Sequence, residues 1–321
     1  MINLINPFNQ KSLRFEQDHY VDKEGNRFPV VNNVPRFVSS ENYTANFGFQ
    51  WNKFQKTQID PESKASDFSK TRFFAQTGWD KEDLSGKNVL EVGSGAGRFT
   101  QVVLDHTQAN LYSIDYSDAV TANFKNNGHH GERLHLFQAS IYEMPFPDNS
   151  FDKVFCFGVL QHTPDFKKSI KTMVDKLKPG GELVVDFYPI NGWWTKIHAK
   201  YLFRPITKRI SHEKLLHLIE SNADRLIKLS AFFDKVGVGR LMNRFLPISD
   251  IKGTMPRNLS KEELREWVIL DTFDWYSPEH DHPQRIGTVK KWFEEAGMQV
   301  TFAGKIPYLH CVSSVVKGIK K

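Results

Sequence analysis

The chain has 321 residues, 40% hydrophobic, 25% charged and 13% aromatic, with a net charge of +6. This composition supports a packed core and excludes a disordered polyelectrolyte or a collagen-like chain. Only two cysteines, Cys156 and Cys311, are present, which excludes a disulfide scaffold and a four-cysteine zinc site. The longest apolar run, residues 154–160, is far short of a membrane span of about 20 residues, and the N-terminus lacks an apolar leader core, so a soluble cytoplasmic protein is expected.

Residues 1–37 alternate mildly and are rich in turn formers. Asp22 to Asn26 reads as a turn between short strands, and Phe28-Pro29-Val30-Val31 and Val34-Pro35-Arg36-Phe37 follow. Helical stretches are expected around 48–54 and 66–78. From Lys87 the pattern changes. Short runs rich in Val, Ile and Phe lie at 88–92, 110–115, 134–139, 153–157 and 182–187, with helix-like segments between them at 97–106, 117–126 and 166–177. Strands alternating with helices predict right-handed βαβ units and a mostly parallel sheet covered on both faces. The turn Lys178-Pro179-Gly180-Gly181 ends one helix and launches a strand.

The alternation stops at residue 189. Residues 189–256 read as helical, basic and aromatic. Between Lys196 and Arg244 there are 11 Lys and Arg against 4 Asp and Glu, a surplus of +7 that accounts for the whole net charge. Such a stretch suits phosphates, nucleic acid, anionic glycans or anionic lipid, or is a solvated helical face. Ser260-Lys261-Glu262-Glu263 has capping-box spacing and predicts a helix start. A last amphipathic helix is expected at 287–296, followed by strands at 299–303 and 310–316.

The sharpest signal is Val89-Leu90-Glu91-Val92-Gly93-Ser94-Gly95-Ala96-Gly97-Arg98-Phe99. A strand runs into three alternating glycines and then opens a helix, so the backbone turns tightly and offers free N–H groups at a helix N-terminus. Asp115 ends the next strand, 22 residues beyond Gly93, where a carboxylate suits a ribose diol. Dinucleotide enzymes use G-x-G-x-x-G, whereas the spacing here is G-x-G-x-G with Arg98 at the sixth position. Glu91, two residues before the first glycine, suits an amine and a sulfonium better than a pyrophosphate.

This segment resembles the first motif of class I S-adenosylmethionine-dependent methyltransferases, of the type 11 methyltransferase-like kind. Gln138 to Phe146 resembles the family segment that cups the adenine, Phe151 to Cys156 its fourth strand, and Leu177-Lys178-Pro179-Gly180-Gly181 its later turn. Val289 to Met298 is similar to its last helix. The resemblance implies a Rossmann-like seven-stranded sheet, mostly parallel, with helices on both faces and the last strand antiparallel. It also implies S-adenosylmethionine as cofactor, held by Glu91, Gly93, Ser94, Gly95, Gly97, Asp115, Tyr116, Ser140, Ile141 and Phe157. Many relatives place Asp where this chain has Ser140, which accepts a hydrogen bond without charge. Some relatives begin with a zinc-ribbon-like module; residues 1–84 would be a metal-free remnant of it together with a lid region, in which Asn46 to Trp51 covers the cofactor or packs its aromatics on the sheet edge. The implied division is then 85–188 for the cofactor-binding core, 189–284 for a helical, basic acceptor cap, and 285–321 for the last helix and terminal hairpin.

Methyl transfer to a hydroxyl needs alignment, exclusion of water and a base. His162 follows the fourth strand and suits a base near neutral pH, or else caps the next helix or packs beside the cofactor. The loop from Asp274 to Pro283 supplies Tyr276, His280 and His282 as further candidates to position or deprotonate an acceptor, or is a structured surface loop. His280-Asp281-His282 lacks a third ligand, so no metal is expected. No Asn/Asp-Pro-Pro-Tyr segment follows the fourth strand, where Phe157-Gly158-Val159 stands, so DNA is not an expected substrate. Cys156 lies in an apolar strand and reads as core. The expected function is methyl transfer to oxygen or nitrogen of a small-molecule or glycan acceptor. A lipid or membrane-tethered acceptor is the alternative, motivated by the basic aromatic stretch at 193–244 and its weak contact with anionic membrane. A dinucleotide oxidoreductase and a non-catalytic cofactor-binding module are the remaining ones.

Overall fold

The computed structural model describes residues 2–38, 44–60 and 67–321, the Ala45 side chain excepted; Ser66, the first residue of the helix expected at 66–78, lies outside them. The turn-rich N-terminus forms a small antiparallel sheet of β1 (Arg14–Glu16), β2 (His19–Val21), β3 (Arg27–Val31) and β4 (Val34–Pro35). The expected turn is built on Asp22. Its carboxylate accepts the backbone N–H groups of Glu24 and Asn26 at 2.8 and 3.0 Å and the side-chain amides of Asn6 and Asn9 at 2.7 and 2.8 Å.

After α1 (Ala45–Lys53) and α2 (Phe68–Thr77), the βαβ pattern runs as expected: β5 (Asn88–Val92), α3 (Arg98–His106), β6 (Asn110–Asp115), α4 (Val120–Asn127), β7 (Leu134–Gln138), β8 (Phe151–Cys156), α5 (Phe166–Lys176) and β9 (Leu177–Phe187). Val89, Leu90 and Val92 are at most 2% exposed, the signature of a parallel strand buried on both faces. Residues 178–181 do not simply precede the last of these strands. Phe151 pairs with Leu177 and Lys153 with Glu182, so four residues bulge out opposite Asp152. Pro179 cannot donate to the ladder, and the turn fits in that bulge.

The helical region is α6 (Ala199–Thr207), α7 (His212–Lys235), α8 (Gly239–Met242), α9 (Ile251–Thr254) and α10 (Lys261–Tyr276). The chain then returns through α11 (Ile286–Glu295) to a hairpin of β10 (Met298–Tyr308) and β11 (Cys311–Lys320). Both hairpin strands are longer than the apolar runs suggested, because their outer residues alternate with solvent and carry little apolar signal. The main sheet has seven strands in the order β10-β11-β9-β8-β5-β6-β7, with β11 antiparallel to both neighbours. From β5 the chain goes to β6 on one side and later returns to β8 on the other. The crevice at that reversal, beyond the carboxyl ends of the strands, is where open α/β sheets bind ligands.

The expected capping box at Ser260 is present. Ser260 Oγ accepts the Glu263 N–H at 3.2 Å, and Glu263 Oε2 accepts the Ser260 N–H at 2.8 Å. It fixes the start of α10, whose Ile269, Leu270 and Phe273 pack against Leu215, Leu216 and Ile219 of α7 and Phe54 beyond α1. Ser260→Ala should destabilise the fold by about 1 kcal/mol in chemical denaturation, and Ser260→Asp should recover most of that loss.

Candidate functional site

The glycine loop is shaped by close approach as well as by turning. Gly93 has φ +83°, and a Cβ there would lie 2.3 Å from a Val159 methyl. Gly97 has φ +91°, and a Cβ there would meet the side-chain amides of Asn123 and Asn127 at 2.2 Å. Gly93→Ala should therefore cost about 2 kcal/mol or more of stability. Adding Val159→Ala should return the part due to the clash and leave the part due to the backbone, a split read directly from the denaturation midpoints.

Asp115 orders the same loop. Its Oδ2 accepts the Gly95 N–H at 2.8 Å, and its Oδ1 accepts the Ser117 N–H and hydroxyl at 2.8 and 2.6 Å. Burial raises its pKa, and these donors oppose that rise. Gly93, Ser94, Gly95, Asp115, Tyr116, Ile141 and Phe157 line one wall of a cavity of about 400 Å³, a volume suited to a small ligand. Trp51, Phe47 and Gln50 of α1 form its cover. Gln50 is fully buried with neither amide atom bonded, and Ser94 Oγ is likewise without a partner. Buried polar atoms are ordinarily satisfied, so these are aimed at something the cavity receives.

Three of the residues implied for cofactor binding do not line this cavity. Glu91 is 2% exposed and accepts from the Thr100 and Ser113 hydroxyls, the latter at 2.7 Å. Burial raises it to about 7. It braces β5 against α3 and β6 instead of facing an amine or sulfonium. Gly97 caps α3 behind the loop, and the Ser140 hydroxyl is spent on the Tyr142 N–H at 3.1 Å.

The opposite wall comes from α2, the end of β9, and α10: Arg72, Asp186, Tyr188, Trp267, Asp271, Asp274 and Trp275. Arg72 pairs with Asp186 at 2.6 Å, and Asp186 also accepts the Gly158 N–H at 2.6 Å. Asp271 is pushed up to about 7 by burial and then by the neighbouring Asp274 carboxylate. Asp271 was not singled out from sequence, and Asp274 was read only as the first residue of the loop at 274–283, with no role of its own. They share one helical face with Trp267, Leu270 and Trp275 at i, i+3, i+4 spacing, but α10 is buried on several sides, so that face does not stand out in the sequence.

His162 lies at the junction of the two walls, 5% exposed, with its ring 5.3 Å from Phe47 and edge-on to Tyr188 at 5.7 Å. Its Nδ1 is 3.1 Å from the carbonyl oxygen of His280. A carbonyl only accepts, so Nδ1 carries the proton and Nε2 keeps its lone pair. Nε2 has no hydrogen-bond partner and stands 3.8 Å from Asp274 Oδ2, which accepts the Tyr188 hydroxyl at 3.1 Å. Burial lowers the His162 pKa, and Asp274 opposes the shift only in part. The other catalytic candidates are not brought to the cavity. Tyr276 is packed among the α7 and α10 side chains. His280 and His282 stack on each other at 5.7 Å, His282 being exposed. The reason is that α10 continues to Tyr276, which turns this part of the chain away; His280 reaches the site through its backbone carbonyl. Among the described residues, no group of three or more His, Cys, Asp or Glu is placed to hold a metal.

Residues 90–185 match the family model described as methyltransferase domain. Over 131 residues the chain is 32% identical to the ubiquinone/menaquinone biosynthesis C-methyltransferase UbiE of Vibrio campbellii, covering 38% of this chain and 50% of that relative. It is 30% identical, over 131 residues, to the ubiquinone biosynthesis O-methyltransferase of Coxiella burnetii, covering 39% and 55%. The chain thus spans about half the length of these curated relatives. Among solved structures, the magnesium protoporphyrin IX methyltransferase of Synechocystis with bound S-adenosylhomocysteine superimposes with a TM-score of 0.49 at 12% identity, over 87% of this chain and 96% of that one. With a matching domain at residues 90–185, the glycine loop at its start and the seven-stranded sheet around it, the chain contains a methyltransferase domain of the class I, S-adenosylmethionine-dependent kind, whose cofactor is S-adenosylmethionine.

Proposed function

We propose that this protein transfers a methyl group from S-adenosylmethionine to a hydroxyl oxygen of a small-molecule or sugar acceptor. The residues fit the cofactor: the Ser94 hydroxyl and Gln50 amide are unpartnered at the cavity, and Asp115 stands beside Gly95 to accept from a ribose diol. The bound cofactor supplies an electrophilic methyl on a positively charged sulfur. What this chain adds is a compartment lined with aromatic side chains and a base.

The observation that carries the reading is the buried His162 with its free Nε2 on the cavity wall. A lowered pKa keeps the imidazole neutral at physiological pH, and the fixed Nδ1 proton points the lone pair inward. Asp274 stabilises the imidazolium once a hydroxyl proton has moved to Nε2. Trp267 and Trp275 offer apolar faces, while Asp271 and Asp274 accept hydroxyl hydrogen bonds, the combination that suits a polyhydroxylated acceptor.

The test has two stages. Calorimetric titration should give binding of S-adenosylhomocysteine and none of NAD⁺ or NADP⁺. Methyl-labelled S-adenosylmethionine is then offered with glucose, myo-inositol and catechol beside aniline and benzylamine. Label in the hydroxyl series supports the reading; label confined to the amines, or binding of a dinucleotide instead, overturns it.

A further inference from the structure

Helix α6 is inside out. Its buried side carries Ala199, Lys200 and Arg204, while Leu202, Phe203 and Ile206 are 56%, 42% and 65% exposed. The cations are what fasten the helix to the protein. Lys200 Nζ lies 2.7 Å from Asp281 Oδ2 and 4.3 Å from the centre of the Tyr188 ring. Arg204 donates to the carbonyl oxygens of Trp275 and Pro278 at 3.0 and 2.8 Å. A helix in water normally presents the opposite sides.

The apolar side does not stand alone. Just before α6, Trp193 and Trp194 stack on each other at 4.0 Å and are 67% and 49% exposed. Arg244 Nε donates to the Ile197 carbonyl oxygen, which brings the end of α8 against the same turn. There Leu241 and Phe245 are exposed as well. Lys196, Lys208, Arg209 and Arg240 are exposed along these segments, within the stretch from 196 to 244 that carries +7.

We propose that this face docks on an anionic lipid bilayer. Indole rings settle at the headgroup level, where an apolar body and an N–H are both accommodated, and aliphatic side chains enter the acyl boundary. Lysine and arginine beside them are drawn to anionic headgroups. An apolar protein surface would cover the leucines and phenylalanines but leave the concentrated positive charge unanswered. Among the described residues no helix is long and apolar enough to cross a membrane, so the face lies in the interface and does not span. The buried ends of Lys200 and Arg204 reach Tyr188 and Trp275, both on the acceptor wall, so the docked helix is one side chain away from that wall.

The experiment is flotation of the full chain with phosphatidylcholine vesicles and with vesicles that also contain phosphatidylglycerol. Binding to the mixed vesicles, weakened by added salt and nearly absent on phosphatidylcholine alone, is expected. A variant with Trp193→Ser, Trp194→Ser, Phe203→Ser and Ile206→Ser should partition at least ~10-fold less. Lys196→Gln with Arg240→Gln should lose roughly fivefold per charge. Titration with S-adenosylhomocysteine certifies each variant as folded. Equal binding to both vesicle types, no binding of the wild type, or a folded four-residue variant that floats like the wild type overturns the proposal. None of these results bears on methyl transfer, which is read separately.

Discussion

Asp115→Ala should weaken S-adenosylhomocysteine binding by about 100-fold or more in calorimetric titration, because at least two hydrogen bonds to a half-buried carboxylate are lost, each worth about 1.5 kcal/mol or more. The loss has two parts. The carboxylate no longer accepts from the ribose hydroxyls, and the Gly95 and Ser117 groups that it now organises are released. Asp115→Asn separates them. It keeps one acceptor oxygen for the loop and gives up charge, so its affinity should fall between the other two. Thermal unfolding of the unliganded protein checks that neither variant is simply misfolded. Binding by Asp115→Ala within threefold of wild type would remove the carboxylate from the cofactor site.

His162→Gln should lower kcat by about 100- to 10,000-fold while leaving the affinity for S-adenosylhomocysteine close to that of the wild type. The base must be neutral to work. Since burial holds the imidazole below its ordinary value of 6.5, the wild-type rate should be flat through neutral pH and fall only on the acid side of 6.5. In the variant that acid limb should disappear. A second readout needs no acceptor: ¹⁵N spectra of the histidine rings should show His162 as the neutral tautomer protonated on Nδ1. A ring protonated on Nε2, or a variant with undiminished kcat, would leave methyl transfer to proximity alone. Asp274→Asn should act more mildly, raising the rate barrier without moving cofactor affinity, because Asp274 stands 3.8 Å from Nε2 and assists only once charge has formed.

The sheet was legible in the sequence for a definite reason. Parallel strands buried on both faces read as near-continuous apolar runs, and β5 to β9 fall within a few residues of those runs. The glycine loop was equally plain, since close approach to Val159 and to Asn123 permits nothing larger. Glu91 was misplaced because its distance from the first glycine says nothing of which side of β5 it leaves. Only the pleat decides that, and it sends the side chain to Thr100 and Ser113. The cavity wall built by α10 was harder still. Trp267, Val268, Ile269, Leu270, Thr272 and Phe273 are all buried, so α10 shows no single apolar stripe from which an inward side could be read. His162 and Asp274 meet only through the packing of α10 over the strand ends, a contact that no local periodicity encodes.

The small N-terminal sheet ends in Arg36, whose guanidinium donates to Asp118 at 2.9 Å, to Gln138 at 2.8 Å and to Thr121 at 2.9 Å. Asn52 of α1 reaches the same Asp118 carboxylate at 3.2 Å. Two separate parts of the chain therefore grip the one turn that follows Asp115. Thermodynamic reciprocity applies to such a node: whatever steadies the turn favours the ligand, and the ligand steadies whatever grips the turn. The amides of β3 and β4 should accordingly exchange their hydrogens more slowly once the nucleoside end of the cofactor is seated, although neither strand lines the cavity.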